Sequence, residues 1–172
     1  MIFRNRFNVL GEEENEFLNL IASRPFAWAD IRGGNGYERI TGKVSFYNVR
    51  NGVVVFANIK NLPVENDVCA SNIFAMHIHS GNCTGNGEDD FFNVGEHFNP
   101  NNCPHPQHKG DLMPLFAGKN GTATYVYWTD RFTLNEVIGK SVVIHLETDD
   151  FESQPSGGVK TKIACGKIRS LS

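Results

Sequence analysis

The histidines are where this sequence could do chemistry. There are six in 172 residues, and none occurs before residue 77. Two of them, His77 and His79, close the stretch 73–79, in which Phe74, Met76 and Ile78 alternate with Ala75, His77 and His79. Side chains on a strand alternate between faces, so the two imidazoles share a face with Ala75 and turn away from an apolar side. With Cα atoms roughly 7 Å apart, two such rings can converge on one metal ion or stand as an ordinary surface pair. The same pattern returns at 141–147. There Val142, Ile144 and Leu146 form the expected core face and His145 lies opposite. Between these strands, residues 97–111 hold His97, His105, His108 and Asp111. Three imidazoles and a carboxylate match the donors of a tetrahedral zinc site, and the same residues also suit a polar surface loop.

The remaining sequence must position these groups. Residues 40–47 alternate, with Ile40, Gly42, Val44 and Phe46 on one face and Thr41, Lys43, Ser45 and Tyr47 on the other. Asn51-Gly52 is a tight-turn signal leading into an apolar strand over 53–59. Further strands are expected at 73–79, 122–128, 141–147 and 162–168. Short strands with turn punctuation predict a β-sandwich or barrel. A helix is expected over 11–22, where Phe17, Leu20 and Ile21 form a stripe and Glu12, Glu13 and Glu14 occupy the first turn. Residues 80–111 break the strand rhythm. A loop this long in a compact domain needs an ordering agent, and metal ligands are the candidates.

Composition narrows the function. Sixteen basic residues against 19 acidic ones give a net charge of −3, which argues against a polybasic binder of nucleic acid or membrane. No apolar run approaches the ~20 residues that span a bilayer. Met1–Phe7 carries two arginines, but no unbroken apolar run succeeds them, because Gly11 and Glu12–Glu14 intervene, so the start does not read as a secretory signal. The chain therefore reads as cytoplasmic, as would one whose signal had been removed. Four cysteines (Cys69, Cys83, Cys103 and Cys165) are too few for a disulfide scaffold, and in a reducing compartment they would be thiols or metal ligands.

Taken in order, six segments resemble the copper,zinc superoxide dismutase family, in its bacterial form. They are His77-Ile78-His79, Gly95-Glu96-His97-Phe98-Asn99-Pro100, His108-Lys109-Gly110-Asp111-Leu112, Val143-Ile144-His145, Asp149-Asp150 and Lys162-Ile163-Ala164-Cys165-Gly166. The resemblance covers about residues 38–169. It implies an all-β fold, an eight-stranded Greek-key barrel or sandwich of immunoglobulin-like form with long metal-binding loops. Residues 1–24 would be an N-terminal extension and 25–172 the barrel domain. It also implies copper on His77, His79, His97 and His145, and zinc on His97, His105, His108 and Asp111. His97 would bridge the metals, and Asp149 would hydrogen-bond to ligand imidazoles. Cys83 and Cys165 would pair as a disulfide, leaving Cys69 and Cys103 unassigned.

The activity implied is disproportionation of superoxide to oxygen and hydrogen peroxide by Cu(II)/Cu(I) cycling beside a structural zinc, with catalytic roles for His97 and Lys162. Homodimers are common in such a family. Two departures stand out. Lys162 occupies the position of the family's guiding arginine, keeping the charge but losing the planar two-pronged donor, so reduced activity is expected. The step from His105 to His108 is short, and Cys103 lies close enough to replace His105. The alternative reading is a zinc- or copper-binding protein of the same fold without useful turnover.

Overall fold

The computed structural model describes residues 19–20 and 22–170. The helix expected over 11–22 lies largely outside them. Nine strand segments are present among the described residues: β1 (Ala27–Gly33), β2 (Thr41–Val49), β3 (Gly52–Lys60), β4 (Ile73–Phe74), β5 (Met76–His79), β6 (Leu115–Phe116), β7 (Ala123–Thr129), β8 (Ser141–His145) and β9 (Lys162–Ser170). A short helix, α1 (Leu134–Val137), and a 3-10 turn (Phe92–Val94) accompany them. Seven strands form a single antiparallel sheet in the order β5-β8-β9-β1-β2-β3-β7. β4 and β6 form a separate pair.

The stretch 73–79 is one extended segment that changes partners. Ile73 and Phe74 pair with β6, while Met76 to His79 pair with β8. At the crossing, the Ala75 amide donates to Glu147 O and the Ala75 carbonyl accepts from His145 N. Counted as one strand, this segment brings the total to the eight that the resemblance implies. Tyr125 on β7 donates its hydroxyl to Met113 O just ahead of β6 (2.8 Å). The far edge of the large sheet is thereby tied to the β4–β6 pair, and the curled sheet encloses one core.

Alternation fills that core as expected. Val44 and Phe46 of β2, Val53, Val55, Ala57 and Ile59 of β3, Met76 and Ile78 of β5, and Val142 and Ile144 of β8 all lie in it. Two expectations need correction. β1 was not anticipated, because its inward positions include the small Ala27 and Ala29 beside Ile31 and give a weak apolar signal. Leu146 is not a core residue. The β8–β9 register shifts between Ile144 and His145, β8 ends there, and Leu146 turns out to solvent.

A smaller apolar cluster sits on the outer face of β8 and β9, where Phe91 and Val94 pack on Val143 and Cys165. The Cys83–Cys165 disulfide anchors this loop to β9. Its sequence separation is 82, and closing a loop of that length is worth about 4.5 kcal/mol in the chain-entropy model. Reduction should therefore lower the thermal midpoint of the wild-type protein by roughly 10 °C. It should leave Cys83→Ser unchanged. Calorimetry with and without a strong reductant checks this, and equal midpoints for the wild type would show that the bridge adds no stability.

Candidate metal centre

The loop bearing His97, His105, His108 and Asp111 is built onto an open sheet edge. β5 pairs with β8 on one side only, and its other side takes the loop. Ile78 donates to Gly110 O (2.8 Å) and accepts from Phe98 N (2.7 Å), and Ser80 donates to Glu96 O (3.0 Å). These bonds set His79 opposite His97 and His77 opposite Asp111. Phe98 and Leu112 bracket the loop and sink into the main core. Gly110 permits this approach, since a Cβ there would lie 2.3 Å from Ile78 O. A segment with little apolar periodicity is thus ordered by strand-edge pairing and two apolar anchors.

All six histidines are buried, with relative exposures of 5% or less. His77, His79 and His145 do point off the barrel wall, as alternation predicts, but the covering loops remove them from solvent. Two groups of potential donor atoms result, each with all members within 4.8 Å of one another: His77, His79, His97 and His145, and His97, His105, His108 and Asp111. His97 belongs to both.

Hydrogen bonds decide which nitrogen of His77, His105 and His79 is left to bind a metal. Asp149 accepts from His77 Nε2 (2.8 Å) through one oxygen and from His105 Nε2 (2.9 Å) through the other. An ionised carboxylate only accepts, so both Nε2 atoms carry hydrogen and both Nδ1 atoms present lone pairs. The Nδ1 atoms of His77 and His105 are buried without a hydrogen-bond partner. Gly95 O lies 2.7 Å from His79 Nδ1, which makes that nitrogen the donor and leaves Nε2 free. His145 Nε2 faces this atom at 3.2 Å. His97 Nε2 is buried and unpartnered, while its Nδ1 lies 2.9 Å from Asp111 Oδ1 and 3.4 Å from His108 Nδ1. Asp111 Oδ2 is also 3.2 Å from His105 Nδ1.

Electrostatics agree with a cation-binding centre. Burial drives His77 down to about 4 despite its bond to Asp149, and His79 down to about 3. Burial and the neighbouring imidazoles push His145 down as well. Burial pushes the Asp149 carboxyl up, but hydrogen bonds from His77, His105 and the Phe151 amide outweigh it and hold it at about 2. Neutral rings with converging lone pairs, beside ionised carboxylates, are what a divalent ion requires. The all-imidazole group suits copper, and three imidazoles with a carboxylate suit zinc.

Several positioning residues were not anticipated. Gln154 clamps His105 from both sides, accepting from its backbone N (2.9 Å) and donating to its O (2.7 Å). Arg131 donates to Pro106 O (2.9 Å) and His108 O (3.3 Å). Gly157 lies at φ +69°, and a Cβ there would come within 2.1 Å of Asp149 Oδ1 and 2.7 Å of His105 Nε2. None of these carries a local motif; the Gly157-Gly158 pair reads only as a turn. Cys103, the other candidate beside His105, lies outside both donor groups and is partly exposed. An open cleft of about 650 Å³, lined in part by Glu96, His97, His108 and Lys140, reaches the shared histidine.

Comparison with known proteins gives the same family. The copper/zinc superoxide dismutase family matches residues 40–168. The extracellular Cu-Zn superoxide dismutase of Brugia pahangi is 30% identical over 161 residues, covering 83% of this chain and 74% of that protein. The Cu-Zn enzyme of Caulobacter vibrioides is 28% identical over 160 residues, covering 83% and 85%. That of Photobacterium leiognathi is 35% identical over 108 residues, covering 55% and 62%. The chain belongs to the copper/zinc superoxide dismutase family. No helix among the described residues is long and apolar enough to cross a membrane.

The depressed histidines make the metal-free protein sensitive to acid. Below pH 6.5 the unfolded chain takes up protons at His77 and His79 that the folded chain refuses until about pH 4 and 3. Protons then favour unfolding, so stability falls as pH drops through that window. Between pH 7.5 and 4.5 the metal-free thermal midpoint should fall by roughly 10 °C, since each pKa unit corresponds to about 1.4 kcal/mol. A midpoint that is flat over this range would mean that the rings protonate inside the fold.

Proposed function

We propose that this protein disproportionates superoxide, using His77, His79, His97 and His145 to hold copper and His97, His105, His108 and Asp111 to hold zinc. The observation that carries the reading is that His97 belongs to both donor groups, with Nδ1 beside Asp111 and His108 and Nε2 buried and unpartnered. Bound copper would supply the one-electron chemistry that turns two superoxide anions and two protons into oxygen and hydrogen peroxide, and bound zinc would brace the loop.

The chain's own residues supply the rest. His97 can serve both groups only after losing both ring hydrogens, so it is the ring able to take up a proton at Nε2 and give it back. Asp149 keeps the hydrogens of His77 and His105 on Nε2, which holds both Nδ1 atoms toward the metals. Lys162 is paired in register with His145, and its positive charge acts on both His79 and His145. A cation there raises the local concentration of a small anion. The Cys83–Cys165 bridge supports an oxidising place of work, where such bonds persist, over a reducing one.

Metal-loading and superoxide-decay measurements test the reading. His77→Ala should cut activity at least a hundredfold and lose copper while keeping nearly all its zinc. Asp111→Ala should first lose zinc. If His77→Ala takes up both metals fully and keeps its rate, the copper assignment is wrong. If the fully loaded wild type leaves the decay rate of superoxide unchanged, the protein is instead a metal-binding member of the fold, a reading that the non-arginine residue at 162 favours.

A further inference from the structure

We propose that Asp89 is a positioning residue that tethers Lys162 and damps the charge it offers to an anion approaching the copper face. The proposal rests on the dismutase reading and names a regulator of that same site. Lys162 opens β9 and is 20% exposed. Its ammonium donates to an Asp89 carboxylate oxygen and to Phe91 O (3.0 Å). A lysine offers three N–H donors, and two of these are committed to one loop.

The tether is prepared by the loop itself. The other Asp89 oxygen accepts from Phe91 N (2.8 Å), so the carboxylate is held by its own chain as well as by the lysine. Asn86 Oδ1 accepts from the Asp89 amide (2.9 Å) and the Glu88 amide (3.0 Å), closing the turn that presents Asp89. Asp90 binds the same loop to the Asn35 amide. Phe91 and Val94 pack on Val143, and Cys83 is bonded to Cys165 three residues beyond Lys162. Asp89 is therefore fastened beside Lys162 by packing, hydrogen bonds and a covalent link.

This pair has little to do with stability. Its side chains are 20% and 38% exposed, and ion pairs open to solvent to that degree contribute little to stability. Its consequence is electrostatic. A lone ammonium attracts an anion as a point charge, whereas an ammonium in contact with a carboxylate presents a dipole whose field falls off faster with distance. Glu88, exposed in the same turn, adds equal net charge to the molecule without contacting Lys162, which makes it the control.

The test compares wild type, Asp89→Asn, Glu88→Gln and Lys162→Met. Asparagine keeps an oxygen for the Phe91 amide and removes the charge. In the metal-free proteins, the rate at which an amine-reactive anhydride acylates Lys162, read by peptide mass spectrometry, should rise severalfold in Asp89→Asn and stay unchanged in Glu88→Gln. In the copper- and zinc-loaded proteins, azide affinity read from the copper spectrum should tighten about fivefold in Asp89→Asn. Its dependence on salt should steepen, because an unpaired charge is screened more. The gain should vanish when Asp89→Asn is combined with Lys162→Met. Unchanged acylation and azide affinity in Asp89→Asn, or equal changes in Glu88→Gln, would overturn the proposal. A loaded wild type inert toward superoxide would defeat the dismutase reading instead, while the acylation rates still decide whether Asp89 tethers Lys162.

Discussion

The Asp149 carboxylate accepts hydrogen bonds from two rings in different donor groups, His77 in one and His105 in the other. This contact carries the chemistry of the centre. A buried neutral imidazole can place its hydrogen on either nitrogen, and only one choice leaves a lone pair facing the other donors of its group. One carboxylate makes that choice for both groups and holds the rings in place. Its own ionisation depends on the same hydrogen bonds, which overcome a burial that would otherwise favour the neutral acid. Gly157 guards the arrangement, because any larger residue would occupy the space between Asp149 and His105.

The scaffold delivers the donor groups and their supports to this point from three sources. β5 and β8 contribute rings by strand alternation. The loop over 96–111 contributes rings and a carboxylate by pairing with the free edge of β5. The stretch after β8 contributes Asp149 and Gln154. Each source is secured separately, by ladder bonds, by Phe98 and Leu112 in the core, and by the clamp of Gln154 on His105. The cost of gathering neutral rings and ionised carboxylates in a dry pocket is visible in the depressed histidines. A divalent ion in each group would offset that cost.

Features that obey a local period or form a motif were legible in the sequence. The alternation of Phe74, Met76 and Ile78 against His77 and His79 survives in the fold, as do β2, β3 and β7 within a residue or two. The candidate donors of the loop stand out by type and by resemblance, although their grouping depends on contacts that no local pattern encodes. Gln154 meets His105 from 49 residues away, and Asp89 meets Lys162 from 73. Such partners come together only through topology. The failures are also local in cause: alanines weakened the pattern of β1, and the register shift after Ile144 ended the alternation before Leu146.

The change of partners at Ala75 has a consequence for the order in which the protein is made ready. The segment carrying His77 and His79 pairs with β6 through one end and with β8 through the other, and both partners lie far along the chain. Pairings between sequence-distant strands form slowly, because loop closure must precede any gain from contact. His145 becomes a neighbour of His79 only once this seam has zipped, and the edge that receives the loop exists only afterwards. The centre is therefore incomplete until both of these long-range pairings have formed. A barrel in which this seam is open has no finished pocket to offer an ion.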